Sequence, residues 1–379
     1  MRKILSLILF FYLSFSGYAF VISDEAKVSL LTADPGEELY SIFGHSAIRV
    51  QDPATDTDLV FNYGTFDFST PNFYYKFVRG KLPYMLSVSS FRGFMPEYVF
   101  EDRTVYEQEL NIPHFYKQEL VNLLEENLKP ENRYYPYDFF FDNCATRIRD
   151  IIARATQNHV TYNGFQPDTI LTFRQLLAPF LYAKPWSKLG IDLILGLPTD
   201  KIATPAEYMF LPDWMMKAFA ESKFGVHDLV KSKNIIHQGA EWDPERPFFN
   251  PMLFFCLFFL FSLTTFFSKQ WARWFDVFLF AVLGILGFLI LFLWFASEHL
   301  ATKDNFNLLW ALPTHLFVAG FLLTKRFYKV KQIYFGFSAI LSLMVLVCWN
   351  IIPQVLHPAL VPFLLTILLR SLYRFRHAG

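Results

Sequence analysis

After Pro247 the chain runs in blocks crowded with Phe, Leu and Trp, whereas residues 20–246 have the mixed composition of a water-soluble domain. At 53% hydrophobic residues overall, 46 of them Phe, a single aqueous core is excluded and two solvents are implied. Five apolar stretches follow, at residues 249–267, 275–296, 306–324, 333–352 and 355–373. Each is close to the roughly 20 residues that cross a bilayer core. The fifth opens among Pro353, Pro358 and Pro362, so it is expected to be tilted, kinked or partly re-entrant. Short loops set the orientation. Lys269 and Arg273, then Lys325, Arg326, Lys329 and Lys331, then Arg370, Arg374 and Arg376 all fall on one side, which the positive-inside rule makes cytoplasmic. An odd number of spans leaves residues 20–246 on the opposite side.

The first residues agree with that orientation. Arg2 and Lys3 precede an apolar core, and Gly17 and Ala19 form a small-x-small pair, so residues 1–19 read as a cleavable export signal; an uncleaved anchor is the alternative. The expected organisation is a signal peptide at 1–19, an exported domain at 20–246 and a membrane domain of about five helices at 247–379. Among three cysteines, Cys256 and Cys348 lie in membrane runs, so Cys144 has no partner within the exported domain. Oxidising compartments tend to pair thiols, and an unpaired one suggests chemistry, with an inert buried thiol as the alternative.

The alternating runs VSLLTA, SAIRV and DLVFNYGTF predict antiparallel strands, and apolar spacing predicts helices over 114–128 and 144–154, an α+β class. Asp142-Asn143 is a candidate cap that puts Cys144 in the first turn of its helix, where unpaired amides and the peptide dipoles favour a thiolate. His45 is the preferred base. Strand alternation groups it with Ala47 and Arg49, and Gly44 is expected to leave room for the approaching thiol. Asn62, on the next strand, is chosen to orient the imidazole, with Asp67 as the other possibility or a turn cap. Arg147 can grip a phosphate or pair with a neighbouring aspartate. Asn305 and Asn307, in an outer loop, can orient a lipid headgroup or carbonyl, or only cap helices. The segment 73–86 reads as an interfacial aromatic-basic stretch or a strand, and 185–198 as a membrane-skimming turn or buried core.

The motifs LYSIFGHSAIRV, VFNYGTFDF, FFFDNCATRIRD and NFNLLWALPTH, in this order, resemble the Lnb-type lipoprotein N-acyltransferases over nearly the whole mature chain. The resemblance implies a circularly permuted papain-like domain before an all-α multi-span membrane domain in a bacterial inner membrane. It implies catalytic roles for Cys144 and His45; Asn62 is carried over only by its place on the strand after the histidine. The implied reaction moves an acyl chain from a membrane phospholipid through a Cys144 thioester to the α-amine of a diacylated lipoprotein cysteine. No metal, cofactor or nucleic acid is called for. A membrane-held hydrolase of lipid or peptidoglycan bonds, and a non-catalytic lipid or lipoprotein binder, are the rival readings.

Overall fold

The computed structural model describes residues 20–162, 165–243 and 245–377; the export signal read at 1–19 lies outside the described residues. Strands come first: β1 (Lys27–Ala33), β2 (His45–Asp52), β3 (Thr57–Thr65), β4 (Pro83–Ser90), β5 (Val105–Leu110), β6 (Tyr134–Pro136), β7 (Val160–Thr161), β8 (Lys223–Phe224), β9 (His227–Asp228) and β10 (Val230–His237). Seven of them build one antiparallel sheet in the order β10-β5-β1-β2-β3-β4-β6, and β7, β8 and β9 form a small second sheet. The three runs read as strands are β1, β2 and β3.

Period-two alternation divides the large sheet into two apolar faces. Val28, Leu30, Ile48, Val50, Phe61 and Tyr63 share one core with Ile148 and Ile152 of the helix Cys144–Ala155 and Leu120 and Leu124 of the helix His114–Leu128. Leu31, Ala33, Ala47 and Val60 lie against Phe94 and Tyr98 of the helix Phe91–Phe100 on the other face. Arg49 belongs to that second face and is buried. It forks onto Asp58 with two 2.7 Å bonds, reaches Glu107 at 3.1 Å and stacks 3.6 Å above Phe91.

The helical half departs from five equal spans. Lys269–Phe295, with 27 residues, and Tyr328–Val347, with 20, are long and apolar enough to cross a membrane. Pro251–Thr264 is shorter and ends in a 3₁₀ turn, and Leu360–Arg376 has 17 residues. The third expected span, 306–324, is broken: a 3₁₀ turn at Phe306–Leu309 and a helix only at His315–Phe321. Pro313 explains part of the break, since its ring excludes the residue before it from helical geometry. Two glycines accommodate the irregular backbone. A Cβ on Gly284 would stand 2.2 Å from Leu316 N, and one on Gly287 2.2 Å from Ala311 O, so both let the broken segment lie directly on the Lys269–Phe295 helix. The fifth stretch becomes helical only at Leu360, after Pro353 and Pro358; Pro362 is tolerated in the first turn, where its missing N–H is not needed.

Two of the arginines counted toward orientation are buried and ion-paired. Arg370 and Arg374 each meet Asp276 at 2.5 Å, and Arg370 also donates to Thr265 Oγ1 and Ala272 O at 2.8 and 2.9 Å. This cluster ties the ends of three helices together.

The two halves lock through the segment 185–198, a buried segment as its second reading has it, with Leu195 in the core of the sheet domain and Ile191 packed against that core. Its helix, Pro185–Ile194, puts Leu189 into the apolar cluster of the membrane half and Trp186 against Phe249 and Phe254. The last carbonyls of a helix lack intrahelical partners. Here the other half supplies them. Asn305 Nδ2 donates to Leu193 O (2.8 Å) and Ile194 O (3.1 Å), Asn307 Nδ2 to Leu193 O (3.1 Å), and Gln354 Nε2 to Leu195 O (3.1 Å). Beneath it, buried Arg174 holds Asp192 and Asp200 at 3.0 and 2.8 Å. A second seam joins the segment 73–81, a short helix running into β4, to the 298–299 loop: Glu298 N donates to Arg79 O at 2.9 Å, and His299 Nε2 lies 2.8 Å from Phe77 O.

Gly196 sits where the lock is tightest, because a Cβ there would lie 1.7 Å from Lys303 O. Gly196→Val is therefore expected to spring the halves apart, at a cost on the order of 2–4 kcal/mol. Limited proteolysis in detergent checks it, with faster cutting near residue 245 in the variant and a lower thermal midpoint; unchanged cutting and melting would count against the lock.

Candidate active site

Local sequence explains how Cys144 is held. Asn143 is the N-cap of its helix: Oδ1 accepts from Thr146 N at 2.9 Å, and Thr146 Oγ1 in return accepts from Asn143 N at 2.8 Å. Asn143 is itself buried, and its Nδ2 donates to Phe139 O and Phe210 O, both at 2.8 Å. Of the Asp142-Asn143 pair, Asn143 does the capping. Asp142 instead takes the Arg147 guanidinium in a bidentate pair at 2.5 and 2.7 Å.

His45 opens β2, opposite Ala33 of β1. The β2–β3 ladder runs from Asp52↔Thr57 to Ile48↔Phe61 and goes no further, and the β3–β4 register shifts between Asn62 and Thr65. The strands part at this point. The opening admits the start of the Cys144 helix. His45 Nε2 lies 2.5 Å from Asn62 Oδ1 and donates to it, which leaves Nδ1 for its hydrogen bond with the Cys144 sulfur. The N–H groups of Ser46 and Ala145 also donate to that sulfur.

The glycine that makes room is not the one expected. A Cβ on Gly44 would meet Ala33 O at 2.8 Å and Pro212, so Gly44, at φ +77°, serves the β1–β2 approach. Gly64, at φ +87°, faces the nucleophile, with its Cβ position 3.4 Å from that of Cys144. A glycine inside an otherwise β-branched and aromatic strand was the available signal for such an approach.

Electrostatics bring the two titrations toward each other. Burial alone would raise the thiol and lower the imidazole, because it penalises either charge. For Cys144 that penalty is outweighed by the His45 charge and hydrogen bond, then by the Ser46 and Ala145 amides, and the thiol falls below its ordinary value. For His45 it is outweighed by the Cys144 charge and hydrogen bond and by Asn62, and the imidazole rises. Burial first, and then the Cys144 charge, push the Tyr135 and Tyr137 phenols up.

The structure thus brings together Cys144, His45 and Asn62. Asp67 is occupied in its own turn, accepting from Ser69 N and Oγ at 2.8 and 2.7 Å. Arg147, beyond its pair with Asp142, lies 3.8 Å over the Tyr135 ring, which is the ion-pair reading of this residue. Asn305 and Asn307 are almost fully buried with their amides spent on the Pro185–Ile194 helix, so the headgroup role expected for them gives way to an interdomain clasp. What sequence reasoning missed was the backbone: the Ser46 amide and the parting of β2 from β3.

A partly accessible cysteine–histidine pair on a sheet-rich domain, clasped to a bundle of apolar helices, defines a membrane-held protein of the cysteine–histidine class. Family models agree on which kind: the one described as the Lnb N-terminal periplasmic domain matches residues 17–178, and the one described as the Lnb transmembrane domain matches residues 243–378. The chain belongs to the Lnb family, that of the lipoprotein N-acyltransferases, with a periplasmic domain joined to a transmembrane one. No curated protein and no solved structure matches it.

The lowered thiol predicts how Cys144 reacts. The thiolate forms as pH rises through the lowered Cys144 value, and the imidazolium charge that assists it is lost as pH rises through the raised His45 value. Alkylation of Cys144 by iodoacetamide, followed by peptide mass spectrometry, should therefore remain fast well below the ordinary thiol pKa of about 8.5. In His45→Ala the partner charge is gone while burial remains, so the titration should move up to or beyond that value. A native profile that coincides with the variant's would exclude the pair.

Proposed function

We propose that Cys144 carries an acyl group from a membrane phospholipid to the α-amine of a diacylglyceryl-modified lipoprotein N-terminus. The observation that carries this reading is the His45-paired thiol at a helix start, in a family of lipoprotein-related membrane proteins. In the first step the thiolate attacks the ester carbonyl; the C–S bond forms, the C–O bond breaks, and the His45 imidazolium gives its proton to the departing lysophospholipid oxygen. The thioester then faces a neutral imidazole. An incoming ammonium gives it one proton, the freed lone pair forms the C–N bond, and the C–S bond breaks to return the thiolate. The second amine proton leaves to solvent, and the starting ion pair is restored. Asn62 holds the ring so that Nδ1 stays on the sulfur throughout. Amides at the helix start, already aimed at the sulfur, are the natural donors to the tetrahedral oxyanion.

The papain-like, circularly permuted character belongs to the same proposal. Its support is the chain order, His45 and Asn62 before Cys144, with the cysteine helix packed on an antiparallel sheet. So do the boundaries at residues 19 and 246, and residence in a bacterial inner membrane with several crossings; the basic loops and the Lnb domain matches support these.

Purified protein incubated with phospholipid is expected to form a hydroxylamine-sensitive acyl adduct on Cys144, and Cys144→Ser to form no such thioester. In cells without another such enzyme, His45→Ala should lower N-acylation of lipoproteins by about 10³–10⁴-fold, read by mass spectrometry of their N-termini. An unchanged N-acyl chain would sink the proposal. Release of free fatty acid with no amide product would favour the hydrolase.

A further inference from the structure

A cleft of about 380 Å³ opens beside the proposed nucleophile's base, beginning at Gly44, the residue before His45. Its walls are aromatic, with Phe43, Phe180 and Trp214 among them, and its polar groups include Thr32, Asp34 and Asp213. Two of these are unusual. Thr32 is 3% exposed, and its Oγ1 has no hydrogen-bond partner among the described residues. Buried polar groups are nearly always satisfied, and an orphan that lines an open cleft marks where a ligand's polar group belongs. Thr32 also pairs across β1–β2 with Ser46, whose own Oγ is an orphan and whose amide donates to the Cys144 sulfur. The polar end of the cleft is therefore one strand away from the Ser46 amide and one residue away from His45.

Asp34 is the second unusual group. Its carboxylate accepts from the Thr104 side chain and, over a long 3.4 Å, from Tyr106 Oη, and no cation forms an ion pair with it among the described residues. The nearby Arg103 spends Nε on the Asp34 backbone carbonyl and Nη1 on Glu101. Asp213 is matched by Lys217 at 2.8 Å, so Asp34 is the carboxylate of the cleft without an ion-pair partner, eased only by the nearby Arg103 charge. A carboxylate without an ion-pair partner, set among aromatic rings, disfavours a phosphate and suits a cation with apolar attachments, and the Thr32 hydroxyl has lone pairs to offer it.

We propose that this cleft holds a primary ammonium carried on an apolar or peptide chain, with Asp34 as its counter-charge and Thr32 as a further acceptor. The proposal rests on the acyl-transfer reading and deepens it, since such a group is what the thioester must meet. Two sources share this chemistry, the α-ammonium of the acceptor and an ethanolamine headgroup. The attached aromatic walls, and the requirement that the nitrogen reach the thioester, assign the acceptor. There the ammonium gives up its proton and forms the C–N bond as described above, and Asp34 positions it.

Binding separates this from the chemistry. The Cys144→Ala protein in phosphatidylglycerol nanodiscs would be titrated with a diacylglyceryl-cysteinyl peptide, with its amine free or N-acetylated. The free amine should bind roughly tenfold tighter, the scale of one charge-assisted contact. Asp34→Asn should erase that preference and Thr32→Val reduce it, with Cys144 alkylation in the otherwise native chain reporting an intact site. If phosphatidylethanolamine instead competes in an Asp34-dependent way while the two peptides bind alike, the ammonium held is the donor's and the assignment to the acceptor is overturned. Equal binding of both peptides, with no effect of headgroup, overturns the cleft altogether. Failure of the native enzyme to form an acyl adduct would instead strike the acyl-transfer reading, since it leaves the binding result standing.

Discussion

A thiolate set between a helix and a sheet loses most of its hydration, and that loss costs several kcal/mol unless other charges and dipoles replace the water. For Cys144 the available replacements are the His45 ring, the Ser46 amide from the sheet and the Ala145 amide from the helix. They come from two elements far apart in sequence, so the pair exists only while helix and sheet keep one geometry. Asn143 enforces that geometry, since its single side chain caps the helix and also bonds the Phe139 and Phe210 carbonyls. A buried amide with all its bonds made permits little sliding, because each lost bond leaves an unsatisfied group.

The same logic operates at the seam between the halves. A helix that ends with free carbonyls in an apolar setting is costly, and the Pro185–Ile194 helix ends that way against the membrane half. Asn305, Asn307 and Gln354 answer those carbonyls, and they can do so because the third apolar stretch is not a continuous helix. A straight span there would satisfy its own backbone and present only side chains to the seam. The break in the bundle and the docking of the sheet domain are two sides of one arrangement.

These two regions differ in how far the amino-acid sequence discloses them. Cys144 could be found from local signals: a capping pair before it, a helical pattern after it, and no second thiol in its domain. The strands β1, β2 and β3 follow from alternation, which also groups His45 with Ala47 and Arg49. Their meeting with Asn62 needs the register of β2 on β3 and the place where that ladder ends, and neither is written in any local pattern. For Gly44 and Gly64 the sequence shows two glycines near the site but not what each would strike. Asn305 and Asn307 fail for a related reason. Polar residues between apolar stretches look alike whether they face lipid headgroups or the carbonyls of a helix more than a hundred residues away. Apolar length misled in the same manner at 306–324, where hydropathy records the solvent and Pro313 with the asparagines decides the backbone.

Rigid docking has a consequence for any reaction on lipids. A lipid ester and a lipid-anchored amine are both held near the membrane surface, so an enzyme acting on them must fix the height and tilt of its nucleophile. A flexible tether would leave that height to chance, and misplacement by about 1 Å can cost 10²-fold in rate. Here the sheet domain is joined to the helices through hydrogen bonds at two separate seams, 77–81 with 298–299 and 192–197 with 301–307 and 354. Two seams fix a tilt that one would leave free. The first involves the segment immediately before β4, and the second the helix whose aspartate holds Arg174, so both lead back through the sheet domain toward the elements that bracket Cys144. The bundle in the proposed reaction is then more than an anchor: it is the reference plane from which the position of the thiolate is set.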